Sequence, residues 1–202
     1  YKKILERMEL EYKISAADSG AIGGDSSEEF HVLADNGEDT IAVSDASEFA
    51  INTELLLKDG EDIKTLEGKP SPDGNGTIEI KKGIEVGHIF KLGQIYADSM
   101  KANVLNKEGR ASTLFMGCYG IGVSRLVAAA IEQNNDDKGI IWPQSISPYD
   151  INIIAIGYDK NKEIASASND LYNQLKGMGY DVLLDDRKDG YGTKMKDSEL
   201  IG

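Results

Sequence analysis

The sequence predicts an α+β unit over residues 1–146 followed by an α/β unit over residues 147–202. Three observations predict it. Short apolar or alternating strands recur through the first part, parted by turns rich in Asp and Gly. The stretch Met116-Gly117-Cys118-Tyr119-Gly120-Ile121-Gly122-Val123-Ser124-Arg125 runs into an apolar helical stripe. Beyond Pro143 and Pro148, an apolar strand, an amphipathic helix and a second strand follow one another.

Residues 2–10 pattern as a short amphipathic helix with Ile4, Leu5 and Met8 on one face, and residues 12–16 as a strand. Residues 18–27 form a polar, glycine-rich loop. Strands over 30–34 and 41–43 flank the turn-like Asp35-Asn36-Gly37-Glu38-Asp39, and Asp45 is placed to cap a helix of about ten residues. Residues 57–76 hold Asp59-Gly60, Gly68, Pro70, Pro72, Asp73-Gly74 and Gly76, the composition of a linker. Strands resume over 77–80 and 84–92, where Glu85-Val86-Gly87-His88-Ile89-Phe90 alternates polar and apolar residues. A helix follows from Gly93 to residue 102, then a strand over 112–116 that feeds the glycine turn. The next helix carries Val123, Leu126, Val127, Ala130 and Ile131 as its buried stripe. In the second part, a strand over 150–156, a helix over 163–178 and a strand over 180–184 make a βαβ unit with a parallel sheet. The domain boundary is expected near residues 143–148.

Composition narrows the function classes. The longest apolar runs fall far short of the roughly 20 residues of a membrane span, and no signal-like segment opens the chain, so the cytoplasm is the expected compartment. One cysteine, Cys118, excludes an internal disulfide, and two histidines far apart in sequence, His31 and His88, speak against a zinc cluster. No resident metal is expected. The net charge of −13 argues against coating a polyanion such as DNA. Residues 1–146 hold 15 Lys and Arg against 25 Asp and Glu, residues 147–202 only 7 against 10, so the second part is the less repulsive surface. The chain opens at Tyr1 without methionine and stops after a short helical stretch, and both ends are expected to be cut.

The glycine-rich turn carries the chemistry. Gly117, Gly120 and Gly122 let backbone approach a ligand, and a helix start favours negative charge. Arg125 in the first turn opposes the helix dipole by roughly 0.3–1 kcal/mol, which an anion would offset. A tight turn with a solvated arginine fits the pattern equally well when it is taken alone.

More than the turn matches a known pattern. The segments 18–24 (DSGAIGG), 33–40 (LADNGEDT), 70–74 (PSPDG), 83–90 (GIEVGHIF) and 116–125 together closely resemble bacterial-type prolyl-tRNA synthetase, a class II aminoacyl-tRNA synthetase. Gly120-Ile121-Gly122-Val123-Ser124-Arg125 is similar to motif 3 of that class. The resemblance implies part of an antiparallel class II catalytic sheet, then part of an α/β anticodon-binding domain. It also implies ATP with its Mg2+, L-proline and tRNA-Pro as ligands, and a homodimer for the full-length parent. Motifs 1 and 2 would lie upstream of Tyr1, so the chain alone is expected to be inactive. A short linker over about 55–76 stands where many bacterial members carry an editing insertion.

By the same resemblance Arg125 contacts the ATP phosphates and Gly120 and Gly122 let the nucleotide approach; Glu85 and Gln94 are added to the ATP-binding set, Gln94 on the ribose or the proline side. Proline, a secondary ammonium with a carboxylate and an apolar ring, needs an acceptor, a donor and an apolar wall. Glu29, His88, Phe90 and Cys118 suit those tasks. Glu29 can also be read as a surface acid at a strand end, its neighbour Glu28 raising its pKa, and His88 as a core histidine. On an extended strand Glu85 and His88 point oppositely, so both reach one pocket only through a bulge at Gly87. Cys118 reads as a wall residue. Arg187, Lys188, Tyr191 and Lys194 are the expected tRNA contacts; a solvated loop of mixed charge is the alternative. Two further readings stay open: a noncatalytic ATP- or tRNA-binding module, and another class II synthetase such as the threonyl or histidyl enzyme.

Overall fold

The computed structural model describes residues 1–57 and 62–202, so the Asp59-Gly60 part of the expected linker lies outside the described residues. The chain divides into two compact units, residues 1–6 with 10–133, and residues 7–9 with 134–202.

In the first unit α1 (Lys2–Arg7) buries Leu5. β1 (Tyr12–Ala17) and β2 (Ser26–Leu33) follow, the latter starting inside the expected loop. Then come β3 (Asp39–Ser44), β4 (Ala50–Asn52) and the 16-residue β5 (Ile78–Gly93). A short α2 (Ile95–Ser99), the hairpin β6 (Asn103–Leu105) and β7 (Ala111–Thr113), β8 (Met116–Ile121) and α3 (Val123–Gln133) complete it. The main sheet runs β2-β1-β4-β3-β5-β8, and β5 also pairs with β2, which closes β1 to β5 into a ring. Long β5 makes this possible. It takes β3 along residues 78–83, β2 along 83–91 and β8 along 87–93, each antiparallel.

The apolar run of β3 is buried on both faces. Ile41 and Val43 pack with Ala50 and Leu33, while Ala42 points the other way onto Ile78, Leu66, Ile51, Leu56, Leu57 and Ile80. The glycine- and proline-rich segment therefore contributes core side chains rather than hanging free.

Several sequence expectations change. No helix follows Asp45; its carboxylate instead accepts hydrogen bonds from the Thr77 backbone N–H and hydroxyl, both at 2.8 Å, and joins the end of β3 to the approach to β5. The strands expected over 77–80 and 84–92 are one strand, because Gly83 is there for space and not to break it: a Cβ would lie 2.9 Å from that of His31. The expected glycine-rich turn is instead strand as far as Ile121. Gly117, Cys118 and Gly120 sit on β8 opposite Lys91, Phe90 and His88, so their backbone belongs to a ladder rather than to a helix start. On α3 the buried residues are Leu126, Ala129 and Ala130, with Val123 and Val127 exposed.

The second unit is the expected βαβ. β9 (Ile151–Ile154), α4 (Lys162–Gly177) and β10 (Val182–Asp185) run in order, and the two strands pair parallel from Ile151–Val182 to Ile154–Asp185. Asn161 caps α4 by accepting from the N–H groups of Glu163 and Ile164. A further helix, α5 (Tyr191–Ile201), follows. No described helix is long and apolar enough to cross a membrane.

Candidate active site

Register brings the expected amino-acid set onto one face of the sheet. Glu29 on β2 lies opposite His88 on β5, and His88 and Phe90 lie opposite Gly120 and Cys118 on β8. Side chains two apart on a strand share a face, so Glu29, His88, Phe90 and Cys118 converge. His88 stacks on Phe90 with centroids 3.9 Å apart and planes 15° from parallel. Above Gly120 the nearest atom to a Cβ would be the His88 carbonyl oxygen at 3.8 Å, so this glycine leaves open space over the same face.

Glu85 joins the set through a bulge. Phe30 pairs with Gly87 but His31 pairs with Glu85, leaving Val86 as the extra residue, and the side chain of Glu85 turns to the His88 side. The Glu85 carboxylate accepts from His88 Nδ1 at 3.0 Å. A carboxylate only accepts, so in the neutral ring Nδ1 carries the proton and Nε2 is bare. Nε2 is buried with no hydrogen-bond partner among the described residues. Glu29, Glu85 and His88 present their polar atoms within 4.8 Å of one another, close enough to grip one cationic group.

Glu29 titrates far from the ordinary carboxylate range. Its side chain is 14% exposed, it receives one weak hydrogen bond from Asn52 at 3.3 Å, and it stands 3.7 Å from His88 Nδ1. Burial first, then the negative charges of Glu85, Asp39 and Glu54, raise its pKa to about 7 against the Asn52 hydrogen bond. The upward direction was legible in the sequence, but its cause was not: Glu28 is exposed on the opposite face. Sequence reasoning also missed His31. It is fully buried between Ser15 Oγ at 2.9 Å and Asp39 Oδ2 at 3.2 Å, with Glu29 Oε2 at 3.6 Å. Fifty-seven residues separate the two histidines in sequence, yet both flank Glu29.

Arg125, in the first turn of α3, is not locked away. One guanidinium N–H donates to the Glu85 carbonyl at 2.8 Å, the Glu85 carboxylate is 3.8 Å off, and the side chain is 56% exposed. It opens onto a crevice of about 370 Å³ lined by Asn36, Glu38, Asp39, Ile84, Glu85 and Arg125. Gly122 adjoins it, donating its N–H to the Val86 carbonyl at 2.9 Å. Gln94 does not join this group: at the far end of the β5–β8 pair, its amide donates to the Thr113 carbonyl and supports the β6–β7 hairpin.

In the second unit the expected contacts divide. Lys188 and Tyr191 are exposed. Arg187 forks onto Asp185 at 2.9 and 2.8 Å and reaches Asp197 at 2.8 Å, so its charge is largely matched internally. Lys194 corrects the expectation. It is fully buried and donates to the carbonyls of Ala155 at 2.7 Å and Asp185 at 2.9 Å, a cation holding α5 across the ends of β9 and β10, with no face for a nucleic acid.

The family model for the tRNA synthetase class II core domain (G, H, P, S and T) matches residues 1–134. The chain belongs to this family. Two relatives of this class II member are the proline–tRNA ligases of Sulfurimonas denitrificans, 45% identical over all of this chain and 49% of the relative, and of Ruthia magnifica subsp. Calyptogena magnifica, 33% identical over all of this chain and 60% of the relative. The chain thus spans about half the length of the curated relatives it matches. Among solved structures, prolyl-tRNA synthetase from Cryptosporidium parvum complexed with L-proline and AMP superposes with a TM-score of 0.66 at 16% identity, over 98% of this chain and 34% of that one. The Giardia lamblia prolyl-tRNA synthetase in complex with prolyl-adenylate gives 0.63 at 20% identity, over 96% and 32%. The class II fold of this chain is that of these structures.

Proposed function

We propose that the protein carrying this chain ligates L-proline to tRNA-Pro through prolyl-adenylate, and that the face holding Glu29, His88, Phe90 and Cys118 receives the proline. The observation that carries this reading is the pairing of two acceptors beside a flat apolar wall. A secondary ammonium has two N–H donors, and the carboxylates of Glu29 and Glu85, gathered beside His88, are two acceptors for them. Phe90 and Cys118 supply the apolar side for the ring.

Activation is an in-line attack of the proline carboxylate on the α-phosphorus of ATP, releasing pyrophosphate; the tRNA hydroxyl then takes the prolyl group and AMP leaves. This chemistry asks for positioning and charge neutralisation, with no protein nucleophile. Arg125 faces the phosphates from its crevice, Gly120 leaves the nucleotide room, Gly122 makes space for the Arg125 side chain, and the Glu85 carbonyl and carboxylate steady the guanidinium. ATP arrives with Mg2+ on its phosphates, which offsets the carboxylates of Glu38, Asp39 and Glu85 around the crevice.

In this reading the second unit serves the anticodon, with Lys188 and Tyr191 as the side chains free to meet unstacked bases. The segment over 55–76 stands in place of an editing insertion, the parent acts as a homodimer, and the compartment is the cytoplasm. ATP–pyrophosphate exchange tests the proposal. It should depend on proline and not on threonine or histidine, and Arg125→Ala should lower it by about 10²–10³-fold or more. Exchange driven by another amino acid, or unchanged in the arginine variant, overturns it.

A further inference from the structure

The buried histidine that the mechanism above leaves unused is His31. Its ring is enclosed by Ser15 on β1, Glu29 on β2, Asp39 on β3 and the backbone of Gly83 on β5, where only a glycine leaves it room. The ionisable groups acting on it or on Glu29 are Glu29, Asp39, Glu85 and His88, with Glu54 beyond; Lys13 lies opposite it in the β1–β2 register, its ammonium reaching out to the Ser47 carbonyl and Glu48. The Asp39 oxygen beside Nε2 accepts, as does that of Glu29 once ionised, whereas the Ser15 hydroxyl beside Nδ1 has a hydrogen to give. One neutral tautomer satisfies all of them: Nε2 carries the hydrogen and Nδ1 accepts from Ser15. The other tautomer sets a bare nitrogen against two carboxylates.

We propose that His31 is a positioning residue of this site: Ser15 fixes its tautomer, and its one N–H, bonded to Asp39 at 3.2 Å, stands 3.6 Å from the Glu29 carboxylate and draws it into line with His88 to receive a cationic ligand. This rests on the reading that Glu29 takes the substrate ammonium. Burial pushes the imidazole below its ordinary value despite Asp39, so at neutral pH and above the ring supplies a hydrogen bond rather than a charge. A full positive charge there would neutralise Glu29 electrostatically before the substrate arrived. A neutral donor orients the carboxylate and leaves its charge for the ligand.

Long-range 1H–15N spectra of the labelled chain read the tautomer directly, and 13C-carboxyl shifts read the titration of Glu29. The expected result is a neutral Nε2–H ring at and above about pH 7, with the imidazole titrating below its ordinary value. His31→Met keeps the bulk and removes the donor; it should raise the titration midpoint of Glu29 by about one pH unit. His31→Gln, whose amide reaches the Nε2 position, should restore most of it. In proline-dependent exchange, His31→Met should raise the proline KM about tenfold while kcat moves less than about threefold, and the glutamine variant should recover KM. Where His31→Met does not fold, Ser15→Ala replaces it, and the Nδ1–H tautomer should then rise to a measurable minority while Asp39 keeps Nε2–H the major form. A bare Nε2, a ring titrating near its ordinary value, or a Glu29 titration indifferent to the donor overturns the proposal. Absence of proline-dependent exchange in the unaltered full-length parent would instead sink the prolyl reading, with the spectra still deciding the role of His31.

Discussion

Replacing Glu29 by glutamine removes an ionisation that burial opposes, and its effect on stability should depend on pH in a way few other single changes would imitate. The folded-state pKa is raised from 4.5 to about 7. A carboxyl group whose folded pKa is raised contributes stability below the unfolded pKa and loses it as pH rises through the folded value. At about 1.4 kcal/mol per pH unit, ionised Glu29 destabilises the fold by about 3 kcal/mol once the pH is above 7, an upper bound because the site relaxes and the side chain is 14% exposed. Glutamine keeps the volume and an acceptor for Asn52 but does not titrate. Urea unfolding followed through amide resonances of β2 and β5 should therefore show Glu29→Gln near neutral at about pH 4.5 and stabilising by about 1–3 kcal/mol at about pH 8. An effect of equal size at both pH values, or a loss at the higher one, would refute the assignment of a strained buried carboxylate. The same variant should bind the substrate ammonium poorly, because the ionisation that destabilises the empty fold is what the ligand uses.

Gly120→Ala should change stability by less than about 0.5 kcal/mol while raising the KM for ATP, since its Cβ enters open space over the site face. Gly37→Ala, whose Cβ would run into the Gly83 backbone, should cost about 1–3 kcal/mol, and equal urea midpoints for the two would contradict this packing. Lys194→Met should destabilise the second unit by about 1–3 kcal/mol by leaving two buried carbonyls unpaired, whereas Lys188→Ala should be silent. Trp142 fluorescence during thermal unfolding reads both, and a silent Lys194 variant would contradict its role. Asp185 has the opposite pH sign to Glu29: hydrogen bonds from Arg187 hold its pKa at about 2, so its contribution is present above the ordinary carboxylate value and lost as pH falls through about 2. Asp185→Asn should accordingly weaken the second unit at about pH 6 and not near pH 2, as circular dichroism would report.

What the residues alone determined is local or nearly so. The βαβ order of the second unit, the antiparallel strands from Tyr12 to Ser44, the start of α3 with Arg125 in its first turn and the identity of the proline-face side chains all follow from periodicity, turn chemistry and a run of family motifs. The demand for a bulge near Gly87 also follows, because Glu85 and His88 three apart cannot otherwise meet. Tertiary structure decided what depends on partners distant in the chain. Asp45 finds Thr77 instead of a helix, the glycines of β8 enter a ladder with β5, and Lys194 vanishes beneath α5 instead of facing solvent. Above all, Ser15, His31 and Asp39 come from three strands, and no spacing in the sequence announces that a closing ring will press them against Glu29. Pattern reveals which face a side chain takes; only the closure of the sheet sets how deeply a charge is buried and which acceptors crowd it, and those two quantities set its chemistry.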